Sequence, residues 1–559
     1  MKFKEITVPY ACIMASLVLW LLSINQIPVF DYTADSFWYV KNLPIFYWIG
    51  LGLILFTVFW CMNTKETGKT KFELALIFLF VLYLFGTLCF ATSNPYFLDI
   101  YSHTSEVKII GELGNISTPV ATLHLDTPGS YIFFAIFSSI VGHDFFDAYV
   151  VRYYPIFVIT ILSIIVYATA RHFSVSEKAL IAPITFISFA WFLEFHISRQ
   201  SFSLILFSIL LLCIPAFLKS RKIQWALIFI ITNVSLVICH PGAPIFFSIS
   251  LASALLLMNL PWFKSKISRP RKDFKILLLL GLVVYLCWSI YFTKALPWFI
   301  DNTLFLKSAF ENLLSRKPML TPELIQNPSY EFGVVLLTRE ILLLLEIAIG
   351  MSSVVFLWVN KVKDKTLFLG GLMAGYLSIQ VLLFFGHALL ERLFLYALFP
   401  ISILCALSFE ICMKKRKRSA FPWFLAVILV TSMIVIPISG YGANLPFECP
   451  SSSEISLASF VKASLPNGAR LSGLGLHTGL IEEATYSGSL TFYPWIGPEA
   501  TSPLAEKCDL MIVNFMYNFY TLRFGTSREY KKLENETLTS YDKVYDSGLG
   551  RLYKSIENP

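Results

Sequence analysis

The stretch GSYIFFAIFSSIVG, residues 129–142, decides the fold, because its length leaves open whether it crosses a membrane. As a helix it would span only about 21 Å, whereas the hydrocarbon core of a bilayer is about 30 Å thick. The whole chain is apolar as well, since 56% of its 559 residues are hydrophobic and only 14% are charged. Soluble domains usually carry about 25% charged residues. The composition therefore predicts an α-helical polytopic membrane protein.

Longer apolar runs occur along most of the chain, and each has the length of a membrane span, about 20 residues. The first of them has no small-residue cleavage site, so we interpret it as a retained span. About 13 spans are expected in all. The runs lie at residues 7–25, 45–62, 73–92, 153–170, 179–195, 201–218, 224–240, 243–262, 274–293, 335–360, 366–386, 392–412 and 421–440.

Basic clusters between these runs predict which loops face the cytoplasm, where Lys and Arg are in excess. The net charge of +8 is carried largely there, which argues against nucleic acid as a partner. The clusters lie at residues 65–71, 219–222, 264–275, 361–365 and 414–418. Counting spans back from the last cluster and forward from a cytoplasmic N-terminus gives consistent sides only if 129–142 does not cross. We therefore expect this run at the outer surface of the cell membrane.

This topology divides the chain into two domains. Residues 1–440 form the predicted transmembrane domain, with large outer loops at 93–152 and 294–334. Residues 441–559 have an ordinary polar composition and form a predicted small extracytoplasmic α/β domain.

The C-terminal domain shows patterns typical of one helix and several strands. SSSEISLASFVKASL predicts a helix, CDLMIVNF a strand, and KVYDSGLGRLYKS a hairpin around Ser547 and Gly548. Cys449 and Cys508 lie in this domain, on a face that is usually oxidising. A disulfide between them and two free thiols remain equal alternatives.

Three ionisable residues follow the third span, in NPYFLDIYSHTSEVKIIGEL at residues 94–113. Asp99, His103 and Glu106 occupy positions i, i+4 and i+7, so they share one face of a helix. A carboxylate at the membrane surface can take a proton from a hydroxyl, or hold a divalent cation beside a phosphate. The alternative is a loop that is polar because it leaves the bilayer.

Similar residues recur where other spans reach the outer boundary. Singly, each is more often a satisfied interfacial residue than a ligand, but the topology puts all of them at the same level as Asp99. Guanidinium groups suit phosphate, because they offer paired donors to its oxygens. These residues are Asp126, Arg152, His196, Arg199, His240, His387 and Arg392.

Several of these segments together resemble the GT-C superfamily of membrane glycosyltransferases, which includes protein O-mannosyltransferases, aminoarabinose transferases and oligosaccharyltransferases. The segments are FLDIYSHTSEVKIIGELGNI, HLDTPGSYIFFAIFSSIVGHDFFDAYVVRYYP, ICHPGAP and LLERLFLYALFPISIL. In this family an essential Asp lies a few residues past a span, the place that Asp99 holds here. The chain departs from the family in having Ile100 after Asp99 and Asp126 before Thr-Pro, and in placing two spans before the core.

The resemblance implies transfer of a sugar from a polyprenyl-phosphate carrier to a protein, glycan or lipid acceptor on the outer face. Asp99 would be the catalytic base, with Glu106 and His103 assisting it or binding the acceptor. The metal requirement stays open, with Mg²⁺ or Mn²⁺ as the candidate cofactor. The donor phosphate would be bound by Arg199, His240, His387 and Arg392. The acceptor, or its loop, would be contacted by Asp126 and Arg152.

Two other functions fit parts of the sequence. An O-antigen ligase or repeat-unit polymerase also uses polyprenyl-linked sugars, and would place its chemistry in the loop 294–334. A secondary transporter would hold its substrate near the bilayer midplane. Glu194 and Glu346 are the mid-span acids nearest to that requirement.

Overall fold

The structure is a computed structural model in which helices dominate the N-terminal 440 residues and a mixed sheet lies near the C-terminus. It describes residues 2–30, 35, 37–63, 70–97, 99–114, 127–173, 178–190, 196–260, 269–291, 330–384, 390–414, 452–464, a few single positions between 426 and 450, and five strands.

Among the first nine helices, two consecutive pairs are joined by a π-helical turn. The turn Leu82–Gly86 joins α4 to α5, and the turn Phe146–Val150 joins α8 to α9. The helices are α1 (Lys2–Ile24), α2 (Trp38–Lys41), α3 (Ile45–Asn63), α4 (Thr70–Val81), α5 (Thr87–Ala91), α6 (Asp99–Leu113), α7 (Gly129–Val141), α8 (His143–Phe145) and α9 (Val151–His172).

The later helices complete the bundle and lead into the sheet. They are α10 (Ile181–Phe189), α11 (Arg199–Ser220), α12 (Ile223–Cys239), α13 (Ala243–Asn259), α14 (Arg269–Tyr291), α15 (Tyr330–Val359), α16 (Lys363–Phe384), α17 (Leu390–Lys414) and α18 (Ser452–Ser464).

Among the described residues, 5 helical segments are long and apolar enough to cross a membrane. They are Thr70–Ala91, His143–His172, Arg199–Ser220, Gly333–Val359 and Phe394–Lys414. Shorter apolar helices accompany them, at Val8–Ile24, Ile45–Cys61, Gly129–Val141, Ile223–Cys239, Ala243–Asn259 and Lys275–Trp288. The chain is thus a multi-pass membrane protein by length and composition, and the total of about 13 spans stays a prediction.

Helix α7 lies at one end of the bundle, as contacts of its neighbours require. Arg152, at the start of α9, donates to the carbonyl oxygens of Cys89 (3.0 Å) and Thr92, at the end of α5. Lys108 of α6 forms an ion pair of 3.0 Å with Asp147, beside the start of α9. The end of α5 and the start of α9 therefore lie at the same end of the bundle, and the non-crossing of α7 between them stays a prediction.

The π-helical turn after α4 is held by the two N-terminal helices. Tyr47 of α3 donates to the Tyr83 carbonyl (3.0 Å), and the Tyr83 hydroxyl donates to the Ser16 carbonyl of α1 (2.7 Å). The Tyr83 ring passes over Gly50, where a Cβ atom would lie 1.7 Å from the hydroxyl oxygen. A larger residue at position 50 would therefore displace the Tyr83 hydroxyl from its hydrogen bond to Ser16.

Helices α13 and α16 approach backbone to backbone. A Cβ at Gly371 would lie 2.5 Å from Ala254 Cα, and one at Gly375 would lie 2.6 Å from Ser250 Cα. Each pair is spaced i, i+4, the spacing at which small residues allow membrane helices to pack closely.

The strands near the C-terminus form one mixed sheet in the order β2-β1-β3-β5-β4. Strand β1 pairs in parallel with β2 and β3, whereas β5 pairs antiparallel with β3 and β4. Strands β4 and β5 lie where the sequence predicts a hairpin, and α18 lies where it predicts a helix. The strands are β1 (Arg470–Leu474), β2 (Thr491–Trp495), β3 (Leu510–Val513), β4 (Tyr541–Asp546) and β5 (Arg551–Ser555).

The start of the C-terminal part contacts the end of the bundle where α6 and α7 lie. Asn94 donates from its side-chain amide to the Pro450 carbonyl over 3.1 Å. The adjacent Cys449 is buried, and burial raises the pKa of its thiol to about 12. Cys508 lies outside the described residues, so the pairing of these cysteines stays an open prediction.

Candidate active site

Helix α6 begins at Asp99 and carries the three ionisable residues on one face, as their spacing predicts. Asp99 is exposed, His103 is partly buried, and Glu106 is only 1% exposed. Phe97, just before the helix, is buried at a φ of 87°, which is unusual for a residue other than glycine. The helix therefore enters the protein with its first acid facing outward and its second buried.

The Tyr131 hydroxyl of α7 joins several of these groups. It lies 2.7 Å from His103 Nδ1, and both Glu106 and Arg199 also hydrogen-bond to it. Burial raises the pKa of the Tyr131 phenol, the negative charge of Glu106 raises it further, and Arg199 opposes the shift. Tyr131 thus stays protonated at neutral pH and links a carboxylate, an imidazole and a guanidinium.

His196 packs against the same face of α6. Its ring stacks on that of His103, with centroids 5.5 Å apart and planes at 17°. The Phe97 ring also packs against His196, with the ring centroids 5.0 Å apart. His196 is 1% exposed, so its stacked contact lies on the buried side of the partly buried His103.

Arg199 is the first residue of α11, and a capping box fixes its position. The Ser198 side chain accepts from the Ser201 backbone N–H (3.1 Å), and the Ser201 hydroxyl accepts from the Ser198 N–H (3.3 Å). Such a box satisfies donors that the first helical turn leaves open. The Arg199 guanidinium then donates to Thr127 Oγ1 over 2.9 Å, directly before the Pro-Gly turn that starts α7.

His240 occupies the turn between α12 and α13. Its Nδ1 accepts from the backbone N–H groups of Gly242 and Ala243, both over 3.0 Å. In the neutral imidazole the proton is therefore on Nε2. The turn lies against α7, because a Cβ at Gly129 would be 2.8 Å from Cys239 Sγ. Thus His240 belongs to the same end of the bundle as Tyr131 and Arg199.

The other predicted site residues are placed less fully. Arg152 is engaged with the carbonyls at the end of α5, which gives it a structural contact at the site's edge. Arg392 lies in the first turn of α17, and its side chain is not among the described ones. Asp126 and His387 lie outside the described residues. The predicted roles of these residues are untested by the geometry.

Metal ligands are the least supported part of the sequence prediction. Within the part of the chain that the structure describes, no group of three or more His, Cys, Asp or Glu side chains is arranged to hold a metal ion. Acidic Asp126 lies outside that part, so Mg²⁺ or Mn²⁺ stays an untested candidate.

An apolar cavity of about 320 Å³ lies between α6 and α7, beyond the ionisable residues. Its lining residues are Ile110, Gly111, Gly114, Ile132, Ala135, Ile136 and Ser139. Ile136 is 57% exposed, so the cavity lies at the surface of the bundle. It continues the apolar end of the α6 stripe that begins at Asp99.

Sequence reasoning missed Tyr131 and Thr127 as parts of this site. Tyr131 lies inside an apolar run, where an aromatic residue has no distinguishing spacing, and Thr127 is one of many hydroxyls beside a turn. The available signal is position, because Thr127 directly precedes the turn-forming Pro128-Gly129 pair and Tyr131 closely follows it.

No family model and no curated protein sequence matches the chain. Among solved structures, the apo crystal structure of ArnT from Cupriavidus metallidurans is similar, with 9% sequence identity and a TM-score of 0.49. The match covers 88% of this chain and 98% of that one. A likeness this loose decides neither the fold nor the function of the chain.

Proposed function

We propose that the chain is a GT-C-type membrane glycosyltransferase that moves a sugar from a polyprenyl-phosphate carrier to an acceptor on the outer face. The observation that carries the proposal is the convergence, at one end of an apolar helix bundle, of an exposed acid, a buried acid and a guanidinium. Asp99, Glu106 and Arg199 are held there by α6, α7 and α11. Ionisable groups at membrane depth are costly and mark functional sites by default.

Asp99 is suited to the role of general base, because it is exposed at the first position of α6. Its carboxylate would accept the proton of the acceptor nucleophile as that atom bonds to the anomeric carbon. The bond from the anomeric carbon to the carrier phosphate oxygen breaks in the same step. The electron pair leaves with the phosphate, so the products are the glycosylated acceptor and polyprenyl phosphate.

The leaving phosphate needs positive charge and donors at the same level. Arg199 opens α11, and His240 precedes α13 with its Nε2 carrying the proton in the neutral form. Arg392 lies in the first turn of α17. Helix N-termini favour anions, so all these residues lie where a phosphate is stabilised. The apolar cavity beside α7 offers room for part of the lipid chain.

Glu106 and His103 act as positioning residues, because they hold other groups of the site in place. The protonated Tyr131 has His103, Glu106 and Arg199 as partners, so it joins the negative and positive groups of the site. In this proposal the acceptor is a protein, glycan or lipid, and a divalent cation beside the phosphate is its untested cofactor. The N-terminus is cytoplasmic, and the C-terminal domain lies outside.

A transporter remains the second candidate, because of Glu346. This acid lies near the middle of α15, is 2% exposed, and has one carboxyl oxygen without a hydrogen-bond partner. Buried acids inside spans mark ion or substrate paths in many transporters. The O-antigen ligase alternative rests on residues 294–334, which lie outside the described residues.

The test compares Asp99→Asn with Asp144→Asn, a matched change at an exposed position near the same end of the bundle. Membranes containing each full-length variant would receive sugar-labelled dolichyl-phosphate and undecaprenyl-phosphate donors. We expect Asp99→Asn to lose about a hundredfold or more of protein-dependent transfer, the usual contribution of a general base. Asp144→Asn should transfer at the original rate. Normal transfer by Asp99→Asn would remove the assignment. No protein-dependent transfer by the original protein, together with sugar-lipid or ion movement that Glu346→Gln abolishes, would favour the transporter.

A further inference from the structure

The opposite end of the bundle carries a second cluster of charged residues, which the proposed transferase does not use. It is built where α9, α11 and α17 end and α16 begins. Its members are Arg171, His172, Lys219, Lys365, Glu410 and Lys414, hereafter the basic cluster.

Two contacts and the proximity of their charges bring these residues together. Lys365 donates to the Phe173 carbonyl over 2.5 Å, which brings the start of α16 to the end of α9. Glu410 pairs with Lys414 over 2.5 Å. The charges of Lys219 and Lys414 both act on Lys365, and those of Lys219 and Arg171 act on His172.

Cations at three of these helix ends have an ordinary explanation, because Lys and Arg are favoured at helix C-termini. Lys365 lies instead in the first turn of α16, where that helix's own dipole disfavours a cation, and its ammonium is held by the Phe173 carbonyl at the C-terminal end of α9. It is half-buried besides. Burial lowers the pKa of Lys365, Glu410 opposes this effect, and Lys414 and Lys219 add to it.

The group therefore holds more positive than negative charge at close range. Glu410 is 4% exposed and already engaged by Lys414. Asp364 is the neighbouring acid on α16. Arg171 donates to Thr70 and lies over the Tyr167 ring, whereas Lys219 and Lys414 are exposed. The outward part of the cluster is cationic.

Apolar surface borders the basic cluster. The Trp225 ring packs edge-on against His172, with centroids 5.8 Å apart. Beyond it, Ile223 and Leu227 of α12 are 68% and 51% exposed. Basic pockets between membrane helices that lie beside such surface recognise anionic headgroups.

We propose that the basic cluster binds the headgroup of an anionic phospholipid in the leaflet opposite the active site. The headgroup phosphate would contact Lys219 and Lys414, with Lys365 and His172 behind them. Its acyl chains would lie along the exposed face of α12. By the charge pattern of the loops, this leaflet is the cytoplasmic one.

The test measures lipid binding to the purified full-length protein in neutral detergent by native mass spectrometry. Phosphatidylglycerol, phosphatidylcholine and inorganic phosphate are offered separately at matched concentrations. The variant Lys219→Gln/Lys414→Gln removes two exposed charges of the cluster. Its control, Lys222→Gln/Lys361→Gln, removes two exposed charges from neighbouring loops on the same side.

We expect the original protein to retain phosphatidylglycerol over phosphatidylcholine. The cluster variant should lose about fivefold in phosphatidylglycerol affinity for each lysine removed, while the control stays within twofold of the original. Equal retention of both lipids, or equal loss in the cluster variant and the control, would overturn the proposal. Tight binding of inorganic phosphate alone would overturn the lipid assignment. An unchanged melting temperature of the cluster variant separates lost binding from lost folding.

Discussion

Tyr131 is the residue through which the ionisable groups of the candidate site meet. Its hydroxyl lies within hydrogen-bonding reach of His103, Glu106 and Arg199. Because the phenol stays protonated, its hydroxyl can donate to one neighbour while it accepts from the Arg199 guanidinium.

Replacing Tyr131 by Phe should therefore reduce sugar transfer by about tenfold to a hundredfold, the effect of a lost hydrogen bond to charged groups. The loss should fall mainly on kcat, since the tyrosine positions other groups. Steady-state kinetics with a polyprenyl-phosphate sugar measures it. Tyr149→Phe, at an exposed position near the same end, is the matched control. Equal kinetics in both variants would exclude the bridging role.

At the scale of residues, the sequence predicts which side chains share one face of α6, but not which residues of other helices contact them. Helical spacing alone places Asp99, His103 and Glu106 together, because period 3.6 is a local property. The contact between Arg199 and Thr127 joins residues 72 positions apart, which no local pattern encodes. A threonine beside a turn looks the same in the sequence whether or not a distant arginine donates to it.

At the scale of elements, the close crossings of helices depend on glycine positions. Gly371 and Gly375 of α16 lie against Ala254 and Ser250 of α13. Hydrophobic runs predict that each helix exists, but an apolar run shows no preferred partner within a membrane. The pairing of α13 with α16 therefore becomes known only from the structure, in which the small residues of the two helices face one another.

Gly50 provides the sharpest test of this packing. In Gly50→Ala the new Cβ would meet the Tyr83 hydroxyl, which is itself held by Ser16. We expect a loss of about 1–3 kcal/mol in stability, as for other overpacked cores. Thermal unfolding in detergent would report it.

Gly52→Ala, two residues on in α3, is the control, because a Cβ there meets no atom within 4 Å. It should unfold at or above the original temperature, since alanine is the better helix former. Equal melting temperatures for the two alanine variants would contradict the described packing of α3 against the π-helical turn after α4.

At the scale of the whole molecule, the position of α7 fixes which groups share a side. Loop charges predict that residues 129–142 do not cross, and the contacts of Arg152 and Lys108 bring the end of α5 and the start of α9 to the same end of the bundle. Charge counting can predict orientation because orientation depends on many basic residues together. It cannot predict the approach of α6 to α11, which depends on packing among several helices.

The central claim is that a polyprenyl phosphate binds with its phosphate at the end of the bundle formed by α6, α7 and the start of α11. The most direct measurement is photo-crosslinking of the full-length protein in membranes with a polyprenyl-phosphate probe that carries a diazirine next to the phosphate. Peptide mapping then locates the adducts. We predict adducts within residues 99–114, 127–141 and 196–243, and their loss when unlabelled polyprenyl phosphate competes. Adducts concentrated at the basic cluster, or spread evenly over the lipid-facing helices, would contradict the account.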